Sequence, residues 1–485
     1  MMTTSAVQEK RTGLSYWMGE VLIQCEKVAQ GFGSGPVHDL RTALRRCRSM
    51  ADGAMIIDPD PVWRRMKKAG KQLFRSLGAL RDTHVMAEWI EKLAPEGDSA
   101  ARAFGEFLHS REEEVKVISA IALQQFDRSQ WNTWAKELPL RAARIPLNSP
   151  IFAQLALERW HQARVLHRRA LRNRTQVALH DLRIGIKRFR YTIENFLPQL
   201  HEACGRDLKQ LQDSLGDVHD LDVLWRTAIS LELFPNSSIR MLWRDRIRQV
   251  RFERFQPYRE KMLGPGSLWQ VWRAELPPVE DLRRIGLQRF KVWASFLDPN
   301  APHSQHVADL ALQLFDGLFT SEDHASKRAS CRHILQAAAL LHDVGHAKTR
   351  KAHHKESARL IRRLCPPMGW TAEELRMASL IARYHRGALP RETQKSFSAL
   401  LESERRLVSF LGGILRLACA CDHQHDRQIR RVRVESSQPI LTVRAEGYTA
   451  STALAEHLAA ARHLLELACQ RPVVVLPADG QPHAA

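Results

Sequence analysis

Two stretches of this chain repeat one another, and few features limit a fold more tightly. The segment LHDLRIGIKRFRYTIE (Leu179–Glu194) carries His180, Arg183, Lys187 and Arg190 at steps of three, four and three. On an α-helix, at about 100° per residue, these four side chains fall within an arc of roughly 80°. Leu182, Ile186 and Phe189 gather on the opposite side. The segment VHDLRTALRRCRSM (Val37–Met50) has the same design, with His38, Arg41, Arg45 and Arg48 on the cationic stripe and Leu40, Leu44 and Cys47 on the apolar one. A second block follows each copy, KQLFRSLGALRDTHVM (Lys71–Met86) and KQLQDSLGDVHDLDVL (Lys209–Leu224). Lys, Gln, Leu, Ser, Leu, Gly, Asp and Val recur in register there, so the chain holds two copies of one helical unit.

Charge supports a role for those stripes. Lys and Arg number 73 against 53 Asp and Glu, a formal net charge of +20, and the pI is about 10.0. A surplus of that size favours a polyanionic partner over a merely basic surface when, as here, it is patterned. Eight cysteines without a CxxC pair indicate neither a disulfide scaffold nor structural zinc. There is no signal-peptide-like apolar core and no apolar run of membrane-spanning length, so the expectation is a soluble, cytoplasmic protein with no membrane partner.

Helical patterns succeed one another along the chain. The glycine cluster Gly31–Pro36 lacks the GK[ST] of a phosphate-binding loop and reads as a linker. The three prolines of Leu138–Pro150 separate the two copies, placed at about 10–138 and 150–262. Gly264–Ser267 and Pro277-Pro278 punctuate a linker over 263–281, and a second helical domain is expected over 282–472. Its one strand-like passage, Arg431–Val434 and Ile440–Val443, predicts a hairpin. Residues 473–485 read as a Pro-rich tail. The fold class expected is all-α with one small hairpin.

The two stripes would present donors along about 15 Å of helix each. Arg grips phosphate with two parallel hydrogen bonds and Lys acts as a point charge, so a chain of phosphates could lie across both. A solvated face is the plainer reading of either stripe alone; the duplication, with a histidine in each copy, favours binding. HDLRxxxRRxR and HDLRxxxKRxRYxxE, each followed by a K-Q-L…L-G…D block, resemble the two halves of a CHAD domain, the conserved-histidine α-helical family. The resemblance covers about residues 10–262. It implies two pseudo-symmetric helical bundles whose basic helices line a groove for inorganic polyphosphate. The groove residues it implies are His38, Arg41, Arg45, Arg48, His180, Arg183, Lys187 and Arg190, with Lys71 and Lys209 in addition. Nucleic acid is the rival polyanion, but single-strand binders add exposed aromatic platforms, which the stripes lack.

The dipeptide His-Asp occurs at 38, 180, 219, 342 and 425. Only His342-Asp343 has ligand-like company: His303 before it, and His346, His353, His354, His385 and Asp422 after it. Imidazole and carboxylate on separate helices suit a divalent ion with open positions for water and a phosphate oxygen. The segments HSQHVADLALQLFD, AALLHDVGH, HHKESARLI, IARYHR and LRLACACDH resemble an HD-type metal-dependent phosphohydrolase domain. More closely they are similar to the C-terminal helical domain of the exopolyphosphatase/guanosine pentaphosphatase family. That resemblance implies His303, His342, Asp343 and Asp422 as ligands, with His353, His354 and His385 completing a second metal position. The pattern often places Asp after Leu-Arg-Leu-Ala; this chain has Cys419 there, and Asp422 takes the ligand role instead.

The expected function is therefore polyphosphate binding joined to metal-dependent phosphohydrolysis. The ion (Mn, Mg, Fe or Zn) would acidify bound water and polarise a phosphoryl oxygen. His342 and Asp343 would be catalytic, while Lys348, with Arg350 and Lys355, would neutralise leaving-group charge. The actin-like ATPase domain that hydrolyses polyphosphate in that family has no counterpart in this sequence. A non-catalytic scaffold on polyphosphate granules is accordingly the alternative, and an RNA-binding phosphohydrolase the third reading.

Overall fold

The computed structural model describes residues 13–173, 175–319, 325–437, 439–449 and 452–478. The chain is mainly α-helical with one small sheet, and it divides into two compact units, Met1–Pro278 and Val279–Ala485.

Unit 1 runs through α1 (Leu14–Gln30), α2 (Ser34–Ala54), α3 (Val62–Ala69), α4 (Lys71–Leu93), α5 (Ser99–Gln124) and α6 (Arg128–Ala142). The second copy comprises α7 (Pro150–Asn173), α8 (Gln176–Phe196), α9 (Pro198–Ser230), α10 (Ser237–Met262) and α11 (Leu268–Ala274). The basic helices are α2 and α8. Their apolar stripes vanish into the interior: Leu40, Leu44, Cys47, Leu182, Ile186 and Phe189 are all 0% exposed. That burial is why the stripes stand opposite the cations. Polar side chains close helix starts, Thr175 accepting from the Ala178 amide of α8 and Asp98 from those of Ala100 and Ala101 in α5. Asp98 also accepts from Trp243 Nε1 at 3.0 Å, tying α5 to α10.

The stretch expected as a linker is partly a helix. Trp269 and Trp272 of α11 are buried, Trp160 Nε1 donates to the Trp269 carbonyl at 3.2 Å, and Trp272 packs 5.5 Å from Phe189. The Gly and Pro punctuation is real, yet two tryptophans in seven residues anchor the segment to unit 1. A fragment ending at Met262 should therefore lose two buried aromatics, each contributing about 3–5 kcal/mol. Against total stabilities of about 5–15 kcal/mol, fragment 1–262 is expected to aggregate or melt well below 1–278. Equal melting temperatures for the two fragments would show that α11 contributes nothing.

Unit 2 holds α12 (Leu282–Ser295), α13 (Ala301–Leu318), α14 (Ala325–Leu341), α15 (His353–Ile361), α16 (Ala372–Tyr384), α17 (Lys395–Ser398), α18 (Glu402–Cys421) and α19 (Thr452–Cys469). One continuous core joins them, with Leu310, Leu314, Phe315, Leu341 and Leu415 fully buried. The expected hairpin forms as β1 (Arg431–Ser437) and β2 (Ile440–Glu446), antiparallel with Val434 opposite Val443. A third strand, β3 (Val473–Pro477), runs parallel to β2 with Val475 beside Val443. The first part of the expected tail is thus sheet, because Val473 is wholly buried and its neighbours supply the β-branched run an edge strand needs. The rest of that tail, 479–485, lies outside the described residues.

Candidate polyanion groove and candidate metal centre

In unit 1, α2 and α8 pack against each other, and side chains cross between them. Arg46 pairs with Glu194, Arg45 donates to the Tyr191 hydroxyl at 3.3 Å, and Asn195 donates to Ser49 Oγ at 3.3 Å. This contact draws Arg41, Arg45, Arg183 and Lys187 into one electrostatic neighbourhood. Two carboxylates face them, Asp82 of α4 and Asp220 of α9. The duplication survives in space as a mirrored set, Arg41–Gly78–Asp82 in one copy and Arg183–Gly216–Asp220 in the other. A Cβ on Gly78 would stand 2.6 Å from an Arg41 terminal nitrogen, so the guanidinium would have to shift to make room for one.

Two features set this cluster apart from an ordinary solvated face. Arg41 Nε, one Arg41 terminal nitrogen and Arg183 Nε are buried with no hydrogen-bond partner among the described residues. Leaving a buried donor unmatched costs about 1–3 kcal/mol, a cost that an anion in the groove would remove. Burial, then Arg183 and Arg45, also push Lys187 down to about 7, while burial lifts the Asp220 carboxyl to about 6. Beside them lies a cavity of about 430 Å³ lined by Arg45, Arg48, Lys67, Lys187, Arg188 and Tyr191, among others.

The other expected groove residues are placed unevenly. His38 and Lys71 are exposed, and Arg48 donates to the Lys67 carbonyl at 2.9 Å. His180 meets His219 through ring nitrogens 3.3 Å apart. Arg190 turns inward instead: it is 9% exposed and reaches Glu194 at 3.5 Å, one helical turn on. Lys209 lines a separate cavity that also bears Asp213, Asp217 and Glu253. Asp82, Asp220 and His219 were not singled out from sequence, although Gly and Asp four residues apart recur in both second blocks.

In unit 2 five histidines converge on one carboxylate. The Nε2 atoms of His353, His342, His346, His303 and His385 lie 3.4, 3.5, 3.7, 3.9 and 3.9 Å from Asp343 oxygens. Hydrogen bonds set the tautomers. His342, His353 and His385 direct Nδ1 at the carbonyls of Ala339, Arg350 and Ala382, at 2.7, 3.0 and 2.6 Å. His303 directs Nδ1 at Asp422 Oδ2 at 2.7 Å. A carbonyl or carboxylate can only accept, so each Nδ1 carries a proton, and in the neutral ring it is Nε2 that offers the lone pair. His353 and His385 bring two such nitrogens to 3.3 Å, and His342 Nε2 is buried without a partner. A separation of about 3.3 Å is the edge of a tetrahedron with bonds of about 2.0–2.1 Å, which fits a shared ion.

Local sequence explains the convergence. Gly345 follows the end of α14, and a side chain there would lie 2.2 Å from the His353 carbonyl; its amide donates to Ser357 Oγ at 2.8 Å. Glycine thus lets the turn after His342-Asp343 sit directly on the start of α15, which delivers His353. Among the described residues, three groups could hold a metal: His303, His342 and Cys419; His342, Asp343 and His385; Asp343, His346 and His353. Burial works against charge on Asp343, but His342 and His385 outweigh it and hold the carboxyl well below the usual range.

Two expected ligands fall outside these groups. Asp422 is 1% exposed with both oxygens engaged, Oδ2 by His303 and Oδ1 by the Arg427 amide at 2.8 Å. Its Oδ2 holds the His303 ring by the nitrogen that faces away from Asp343, the place a carboxylate takes when it orients a ligand imidazole. His354 packs against the rings of His353 and His385 at 5.8 and 6.4 Å and belongs to none of the groups. Lys348 is half exposed and pairs with Glu356 at 3.2 Å; Arg350 and Lys355 are exposed.

Fold and site together define a two-part helical protein, with a duplicated cationic groove in one unit and a histidine–aspartate centre in the other. Residues 20–228 match the CHAD domain, and residues 293–465 match domain III of the Ppx/GppA phosphatases. The chain thus carries a CHAD domain followed by a Ppx/GppA-like C-terminal domain. No curated protein matches it. No described helix is long and apolar enough to cross a membrane.

Proposed function

We propose that unit 1 binds inorganic polyphosphate and that unit 2 is a metal-dependent phosphohydrolase of the HD type. The observation that carries the reading is the set of Nε2 lone pairs gathered around Asp343, each fixed by a hydrogen bond at the far side of its ring. A divalent ion held by these groups would polarise a phosphoryl oxygen and lower the pKa of its water. The chain's own part is to fix the donor set through Asp422 and the three carbonyls. His346, 25% exposed at its side chain, marks the side open to solvent. Arg350 and Lys355 are the nearby cations available to phosphoryl oxygens.

Polyphosphate is favoured over nucleic acid because several of the largest aromatics are spent inside: Trp63, Trp131, Trp243 and Trp272 are fully buried. A groove with unmatched guanidinium donors needs a ligand rich in oxygen, not one with bases to stack.

The test measures binding of long-chain polyphosphate to the full chain across a salt series, beside phosphate release with Mn²⁺, Fe²⁺, Zn²⁺ and Mg²⁺. Affinity should fall steeply with salt, and phosphate should be released with at least one ion. Tight binding without release from polyphosphate or nucleotide phosphates would select the scaffold reading. Tighter binding of single-stranded RNA with a sequence preference would overturn the polyphosphate one.

Binding should also depend on pH. Lys187 loses its charge through about 7 and Asp220 gains its negative charge through about 6, so the groove is most positive in acid. A bound polyanion raises the Lys187 pKa, so binding takes up a proton when pH exceeds about 7. Affinity is expected to fall by up to about tenfold per pH unit above that point. Lys187→Met should flatten this limb in a titration followed by calorimetry.

A further inference from the structure

The residue at the end of the Leu-Arg-Leu-Ala run is a cysteine, and its position gives it a use. Cys419 lies in the last turn of α18, three residues before Asp422, and is half-buried. Its Sγ, a ring nitrogen of His303 and one of His342 all lie within 4.8 Å of one another. Each Nδ1 is committed elsewhere, to Asp422 or to the Ala339 carbonyl, so the nitrogens available are the Nε2 atoms. His342 Nε2 is the second, independent sign of a ligand: its residue is 0% exposed, and no group among those described satisfies the atom. Two imidazole nitrogens and a thiol sulfur, gathered this closely from α13, α18 and the end of α14, are a donor set that a metal ion could share.

We infer that Cys419 is a thiolate ligand in this centre, acting with His303 and His342, and that it fits the centre to zinc-class ions over Mg²⁺ or Mn²⁺. The inference rests on the metal-centre reading above and adds the ligand and the metal class. Thiolate sulfur prefers borderline and soft ions, and two imidazoles with one thiolate are a familiar zinc donor set; hard ions prefer oxygen. Asp343 Oδ2, 3.9 Å from His303 Nε2, is placed to supply a fourth donor. On loading, the S–H bond breaks, a sulfur–metal bond forms and one proton leaves to solvent. The structure also explains why Asp422 does not fill this role: it is already spent on orienting His303.

The experiment loads metal-free full-length protein with Co²⁺ and records its absorption spectrum, beside elemental analysis after zinc and manganese compete at equal concentration. Wild type should show an intense near-ultraviolet sulfur-to-cobalt charge-transfer band and should retain zinc. Cys419→Ser should lose the band, and zinc retention against a chelator should weaken by about 100-fold or more, beyond the 10–100-fold that outer groups typically contribute. Cys421→Ser, two residues on, should keep both. Cys419→Asp, which restores a ligand of oxygen type, should bind cobalt without the band and shift preference toward manganese, which also shows that the variant is folded. Cobalt bound by wild type without the band would overturn the thiolate while leaving the metal centre standing. Wild type that binds neither ion would overturn both.

Discussion

His342→Ala and Asp343→Ala are each expected to strip the metal from unit 2 and to lower phosphate release by orders of magnitude. His342 contributes to two of the three converging groups, and Asp343 faces all five histidine nitrogens, so either change breaks more than one set. The ion supplies both water activation and charge stabilisation, so losing it removes both together. Polyphosphate affinity should stay within about twofold of wild type, because the cationic groove is built from residues of the other unit. Folding has to be followed separately. Asp343→Ala leaves several imidazoles without their central anion, and His342→Ala opens a space in a residue position that is fully buried. Asp343→Asn keeps the shape and should reproduce the loss of metal. A fully metallated His342→Ala protein with wild-type turnover would end the reading of this centre as the hydrolytic site.

The second large effect is expected in unit 1. Arg183→Glu with Lys187→Glu should weaken polyphosphate binding by about 10²–10⁴-fold, from the loss of two charge-assisted contacts at about 1.5–3 kcal/mol each. Added repulsion pushes toward the upper end. Turnover of a small phosphate ester in unit 2 should hardly change, while the apparent KM for long polymers rises. Stability should move in a direction that ordinary loss of contacts does not predict. Lys187 is held at about 7 against 10.5 in an unfolded chain, so its charge opposes folding fully below about 7, and that penalty fades as pH rises toward 10.5. Discounted for partial exposure, the penalty is on the order of 1–3 kcal/mol. Lys187→Met should then bind polyphosphate less well yet melt several degrees higher at pH 6–7, at roughly 2–4 °C per kcal/mol. Unchanged melting with unchanged binding would show that Lys187 lies outside the working groove.

Much of this could be read in the sequence, and the failures have physical reasons. The duplicated stripes are a local property, and helices α2 and α8 follow them closely. The hairpin falls where alternation puts it. β3 was missed because pairing with β2 is a long-range fact, invisible in five residues that end in proline. α11 was missed because seven residues are too few for periodicity, and what fixes them is Trp160 and Phe189 far back in the chain. In the candidate sites, helical spacing placed Arg190 on the right stripe, but Glu194 one turn later captures it. The His-Asp centre was legible as a list of ligand types, and its membership was not. Cys419 and Asp422 are three residues apart, and only the tautomer of His303 tells which faces the cluster and which stands behind the ring.

The paired Arg–Gly–Asp sets of unit 1 have a consequence for how a polymer would be read. A nucleic-acid strand has a direction, its two ends being chemically distinct along every repeat, and a site built as two related halves fits it correctly in only one of them. A polyphosphate chain has no such direction: turned end for end, it presents the same oxygens at the same intervals. Arg41 opposite Asp82 and Arg183 opposite Asp220 would meet the same kind of oxygen in either sense. A polymer entering such a groove has no wrong way round, so every productive encounter counts, and the chain can slide through without turning over.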